Sequence, residues 1–189
     1  MRVIAGAVKG HRLRCPRGMS VRPTSDRVRE ALFSIIGERV VGARVLDLYA
    51  GAGTLGIEAL SRGAAEATFV ERSPRTAAAI HENLARCGMS EKAAVRLMDV
   101  AKYLVKAAED RRAYDLIFLD PPYRISNAEV EDSLTGLVEG GFLAGHALVV
   151  LERPARVPAA NVASLSVKLT RTYGDTAVTL FEKRAVGEG

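Results

Sequence analysis

Four consecutive residues carry the most specific chemistry in this chain: Asp120, Pro121, Pro122 and Tyr123. They follow the apolar run Tyr114-Asp115-Leu116-Ile117-Phe118-Leu119, which reads as a strand, so they fall at a strand's C-terminal end. In open α/β sheets ligands collect at that edge. The two prolines stiffen the turn and remove two N–H donors, so nearby carbonyls can face a ligand without competing amides. Asp120 adds a carboxylate and Tyr123 a flat ring. An acceptor pair beside a stacking surface suits an amino group attached to an aromatic base. Hydride transfer needs no such acceptors.

A second stretch, residues 45 to 60, must sit beside the first. It opens as an apolar run fit for a buried strand and breaks into Gly51-Ala52-Gly53-Thr54-Leu55-Gly56, a G-x-G-x-x-G loop. It resumes as a helix with Leu55, Ala59 and Leu60 on one face. Glycines let the backbone approach a ligand closely, and the turn aims a helix N-terminus at it. Glu71 ends the next apolar run, close to the ~20 residues beyond the loop expected of an acid that hydrogen-bonds a ribose hydroxyl. Strand, loop, helix and acid together predict a site for a nucleoside-containing cofactor.

The chain has 189 residues, of which 48% are hydrophobic and 26% charged, enough for one globular domain with a substantial core. No apolar run approaches the ~20 residues of a membrane span. The first residues lack the apolar segment of a signal peptide. Cys15 and Cys87 stand far apart and in no ligand spacing, so the expectation is a reduced, cytoplasmic protein without a metal. Residues 1–44 hold ten Lys/Arg against three acids, while the remainder of the chain is slightly acidic. Positive charge concentrated on one segment points to a polyanionic partner.

The elements follow from periodicity. Arg2 to Ala5 and His11 to Cys15 read as a hairpin turning at Val8-Lys9-Gly10, with Arg12 and Arg14 on one face and Leu13 and Cys15 on the other. Thr24 to Ile36 reads as a helix capped by Thr24 or Ser25. Its expected core stripe is Val28, Ala31, Leu32, Ile35 and Ile36, which leaves Asp26, Arg27 and Arg29 for ligand contact. Strands are expected over 44–48, 66–71, 94–98, 115–119 and 147–152, with helices between them. Two alternating strands, 164–173 and 176–183, close the chain, joined by Gly174-Asp175 in a type II′ turn. The fold class is therefore α/β, with a mostly parallel sheet and a C-terminal antiparallel hairpin.

The DPPY turn resembles the D/N-P-P-Y/F/W motif of S-adenosylmethionine-dependent amino-methyltransferases, and the element order resembles their Rossmann-like seven-stranded fold (class I). Further marks narrow the resemblance. They are the N-terminal R-V-I-A-G-x-x-K-G-x-R-L pattern, the segment Arg22-Pro23-Thr24-Ser25-Asp26-Arg27-Val28-Arg29-Glu30-Ala31-Leu32-Phe33, D-L-Y-A-G-A-G at 47–53, and Tyr173-Gly174-Asp175-Thr176. Together these are similar to the RsmD family, bacterial 16S rRNA (guanine-N2)-methyltransferases, over nearly the whole chain.

The resemblance implies residue roles. Asp47, Tyr49 and the backbone of Ala50, Gly51, Ala52 and Gly53 would surround the methionine part of S-adenosylmethionine. Glu71 would accept the ribose hydroxyls with Arg72 beside the adenine, and Asp99 and Val100 would bind the adenine edge. Asp120 and the Pro121 carbonyl would hold the guanine amino group, with Pro122 and Tyr123 completing the catalytic turn. Arg2, Lys9, Arg12, Arg14, Arg17, Arg22, Thr24 and Arg27 would contact 16S rRNA, within a small ribosomal subunit. Residues 1–37 would form the RNA-contacting hairpin and helix, residues 38–189 the methyltransferase domain, and the protein would act as a monomer. A DNA adenine-N6 methyltransferase could share the DPPY chemistry. An NAD-dependent oxidoreductase or a non-catalytic nucleotide-binding RNA partner would account for the glycine loop but not for DPPY.

Overall fold

The computed structural model describes residues 1–16, 26–110 and 112–184. Seven strands form one sheet: β1 (Arg44–Leu48), β2 (Glu66–Glu71), β3 (Ala93–Leu97), β4 (Tyr114–Leu119), β5 (Leu143–Pro154), β6 (Leu165–Tyr173) and β7 (Thr176–Lys183). Among the described residues five α-helices accompany them: α1 (Asp26–Ile36), α2 (Thr54–Ser61), α3 (Pro74–Arg86), α4 (Val100–Ala107) and α5 (Asn127–Glu139). The spatial order is β3-β2-β1-β4-β5-β7-β6. β1 to β5 pair in parallel, and β7 inserts antiparallel between β5 and β6. Gly174 takes φ 59 at the β6–β7 turn, the positive value that the first position of a type II′ turn demands.

Strands buried on both faces show alternation between two cores rather than between core and water. Val45, Phe69, Leu116, Phe118 and Val150 pack with α1, α2 and α3, whereas Leu46, Leu48, Val70, Ile117, Leu119 and Val149 pack with α4 and α5. α2 lies unusually close to β2, because a Cβ on Gly56 would stand 2.3 Å from the Phe69 ring. Only glycine permits that approach. β5 begins earlier than the expected residue 147, because Tyr114 already pairs with Leu143 before a register shift.

Residues at the N-terminus share the first of these cores: Val3, Leu13, Val28, Leu32, Phe33 and Ile36 belong to the same cluster as Val45 and Phe118. The hairpin is held by one antiparallel bridge, Arg2 to Arg12, and by the amides of Val3, Gly10 and Leu13, which donate to the carbonyls of His11, Val3 and Met1. Other amides of the segment turn to α2: Ile4 and Ala5 donate to the Glu58 carboxylate at 2.7 and 3.0 Å, and Val8 donates to Ser61 Oγ at 3.2 Å. Cys15 is exposed, not on the buried face with Leu13.

The helical stripe of α1 is rotated from its expected setting. Arg29 and Phe33 are buried, whereas Ile35 is exposed. Arg29 is therefore no ligand contact. At 0% exposure it donates to the Arg2 carbonyl at 2.5 Å and to Asp26 at 2.9 Å, and its Nε lies 3.9 Å from the buried Glu58 carboxylate. Periodicity could not reveal this, because a buried arginine looks like a solvent-facing one until its carboxylate partner is placed. The expected cap residues, Thr24 and Ser25, lie outside the described residues, as do Arg17 and Arg22.

Candidate functional site

Register builds the site. Leu48 pairs with Val70 on one side and with Leu119 on the other, and Glu71 pairs with Leu97. Neighbouring strands are ~4.8 Å apart, so Tyr49, Glu71, Asp120 and the residues leading to Asp99 leave the sheet at one edge. Strand order reverses between β1 and β4, since β1 connects to the β2 side and β4 to the β5 side. A crevice opens at such a switch point, at the carboxyl ends of the strands.

Three side chains from three elements brace the glycine loop. Glu71 accepts the Gly51 amide at 3.0 Å and the Ser73 amide at 2.8 Å. Asp47 accepts the Gly56 amide at 2.9 Å. Asn83 of α3 donates to the Ala52 carbonyl at 3.0 Å. The Gly53 amide bonds within the loop to the Ala50 carbonyl at 2.7 Å.

Two consequences follow for the ligand. Loop amides already engaged by carboxylates cannot cradle a diphosphate, and the acids beside them would repel one. Glu71, half-buried at the sheet edge, suits a ligand with a cationic centre and a ribose. Asp47 is only 2% exposed, and burial pushes its carboxyl up to about 8. It serves the loop from inside rather than presenting itself to solvent.

Tyr49 is the non-glycine residue with positive φ among those described, at 59. Such backbone costs ~1–3 kcal/mol and persists where surroundings enforce it. Here the half-buried ring packs against the α4–α5 core and its hydroxyl meets Ser133 Oγ at 3.2 Å. Burial pushes its phenol up. The conformation turns the chain sharply out of β1 into the loop.

The DPPY turn follows β4 directly. Asp120 and Pro122 are half-buried, Pro121 is buried, and Tyr123 is 48% exposed. The Pro122 carbonyl accepts the Ile125 amide at 2.9 Å, and the Ile125 carbonyl in turn accepts from Arg153 at 3.1 Å. The Tyr123 ring is left largely open at the sheet edge. Asp99 caps α4 by accepting the Ala101 amide at 2.9 Å, and Val100 is buried as the first residue of that helix. Arg72 is exposed beside Glu71.

The basic residues divide. Lys9, Arg12 and Arg27 are exposed. Arg2 lies 3.6 Å from Asp26, and Arg14 pairs with Glu82 at 2.5 Å. Sequence reasoning missed Glu58, Asn83 and Arg153. Asn83 did leave a signal: it is a polar residue on the apolar stripe of α3, between Ile80 and Leu84. Among the described residues no helix is long and apolar enough to cross a membrane.

The Bacillus subtilis protein YlbH is 38% identical over 97% of this chain and 100% of its own. Ribosomal RNA small subunit methyltransferase D of Escherichia coli is 33% identical, covering 100% of this chain and 92% of that protein. The solved structure of Escherichia coli yhhF superimposes with a TM-score of 0.87 at 31% identity, over 98% of this chain and 99% of that one. The family model described as conserved hypothetical protein 95 matches residues 1–182. A Rossmann-like methyltransferase fold, a braced glycine loop and matches over the whole length agree, and the chain belongs to that family, the RsmD family.

Proposed function

We propose that the protein transfers a methyl group from S-adenosylmethionine to the exocyclic N2 of a guanine in 16S rRNA. The observation that carries this reading is the register of β1 and β4, which sets the DPPY turn beside a carboxylate-braced glycine loop. Relatives that are full-length ribosomal RNA methyltransferases support RNA as the substrate class.

S-adenosylmethionine supplies a methyl carbon on a positively charged sulfur. The chain's own residues have two tasks, to hold that cofactor and to ready the nucleophile. Glu71 takes the ribose hydroxyls on the lone pairs left by its two amide bonds, with Arg72, Asp99 and Val100 around the adenine. The guanine amine is a poor nucleophile because its lone pair is delocalised into the ring. Asp120 and the Pro121 carbonyl accept its two hydrogens and favour a tetrahedral nitrogen with a localised pair. That pair forms the new N–C bond as the C–S bond breaks and its electrons return to sulfur. Asp120 then faces a nitrogen gaining positive charge, and preorganised electrostatics of this kind is usually the largest catalytic contribution. The surplus proton leaves through the carboxylate to solvent. Tyr123 stacks on the base, which is splayed out of its RNA context. Residues 1–37 supply phosphate contacts through Lys9, Arg12, Arg14 and Arg27, and the protein acts as a cytoplasmic monomer on a small ribosomal subunit.

The test is methylation of 16S rRNA, small subunits and duplex DNA with labelled S-adenosylmethionine, followed by mass spectrometry of the nucleosides. N2-methylguanosine in rRNA is expected. N6-methyladenine in DNA would replace this reading with its rival.

A further inference from the structure

Asn83 lies in the last turn of α3 at 0% exposure. A polar side chain there costs stability unless its groups are satisfied, and those of Asn83 are. One Nδ2 hydrogen goes to the Ala52 carbonyl and the other to the Arg14 carbonyl, both at 3.0 Å. Its Oδ1 accepts the Arg14 amide at 2.7 Å. Its neighbour Glu82 pairs with the Arg14 guanidinium at 2.5 Å. One turn of α3 thus grips Arg14 by its amide, its carbonyl and its side chain. The same Asn83 amide group holds the glycine loop at its centre.

Backbone hydrogen bonds join the two arms of the N-terminal segment as far as Leu13, whose amide donates to the Met1 carbonyl at 3.0 Å, and Asn83 takes over the backbone at the next residue, Arg14. The segment also carries Arg12 and Arg14. An ordered Arg14 backbone fixes the Asn83 amide, and a fixed amide holds the Ala52 carbonyl where the loop keeps its shape.

We propose that Asn83 is a positioning residue that couples RNA binding on the N-terminal segment to cofactor binding at the glycine loop. This rests on the reading of the N-terminal segment as an RNA surface. RNA that orders residues 12–14 pre-orders the loop, so the cofactor pays less conformational entropy on binding. By linkage, the cofactor tightens RNA binding by the same factor.

The experiment titrates S-adenosylhomocysteine calorimetrically into the full-length protein, with and without saturating 16S rRNA. Wild type is expected to bind it at least about fivefold tighter with RNA present, the lower end of ordinary coupling. Asn83→Asp keeps an acceptor for the Arg14 amide and loses both donors, so the ratio should fall to about one. A buried carboxylate could itself unfold the chain, so hydrogen exchange on wild type gives a second arm. RNA should slow exchange at the Gly53 amide, and S-adenosylhomocysteine should slow it at the Arg14 amide. A wild-type ratio of one, a folded Asn83→Asp protein with the wild-type ratio, or exchange that ignores the distant ligand overturns the coupling. The methylated nucleoside is read in parallel. N2-methylguanosine with a ratio of one leaves the function standing and ends the coupling. A different methylated base, with the ratio present in wild type and lost in Asn83→Asp, does the reverse.

Discussion

Glu71, the last residue of β2, receives the Gly51 amide at 3.0 Å. The acid and the glycine loop, 20 residues apart in the chain, therefore form one hydrogen-bonded unit. Its other oxygen takes the Ser73 amide at the start of α3. The carboxylate that the proposed chemistry needs for a ribose is thus oriented before any ligand arrives, which lowers the ordering cost of binding.

Glu71→Ala should therefore weaken cofactor binding in two ways, by removing the ribose acceptor and by releasing Gly51. Hydrogen bonds to charged groups contribute ~1.5–3 kcal/mol each, so affinity for S-adenosylhomocysteine should drop roughly tenfold to a hundredfold. Calorimetry checks this. An unchanged affinity would remove Glu71 from the cofactor site.

Asp120→Asn should leave cofactor affinity close to wild type while turnover on rRNA falls. Losing one preorganised electrostatic partner of a transition state typically costs about 10²–10³ in rate. Initial rates under saturating cofactor give the comparison. Wild-type turnover in the variant would remove Asp120 from the mechanism.

Asp47 makes stability depend on pH. Its unfolded carboxyl titrates near ~3.9, while burial raises the folded one to about 8. Between those values the native state binds the proton that the unfolded state has released, so stability falls as pH rises across that window. Asn at this position can still accept the Gly56 amide but carries no titrating group. Asp47→Asn should match wild type near pH 4 and melt higher by pH 8, by more than about 2 °C. Melting curves that stay parallel across the window would contradict the burial argument.

Arg29→Ala should unfold the chain more readily without touching the crevice. It takes a cation from beside Glu58, which keeps Arg62 at 2.7 Å, and a donor from the Arg2 carbonyl, and leaving a buried polar group unsatisfied costs ~1–3 kcal/mol. Denaturant titration measures it. Arg12→Glu should barely alter stability, because Arg12 is exposed. It should instead weaken RNA binding and flatten its salt dependence by at least roughly 0.7–0.9 in the log–log slope, the share of one phosphate contact.

Much of this site could be read from one dimension. Strand-loop-helix order, the glycines at 51, 53 and 56, the acid at 71 and the DPPY turn after an apolar run all depend on near neighbours in the chain. Backbone conformation and hydrophobic period are local properties, and local properties survive in a linear string. The parallel sheet and its terminal hairpin were legible for the same reason.

Tertiary structure decided which polar groups face inward. Arg29, given by period to the solvent side of α1, is sealed against Glu58. Asp47, expected beside the cofactor, is a buried brace for Gly56. Asn83 joins Arg14 to Ala52 across 69 and 31 residues. A buried charge or amide is tolerable only when distant partners satisfy it, and the identity of those partners is set by how the layers pack, which no local pattern encodes.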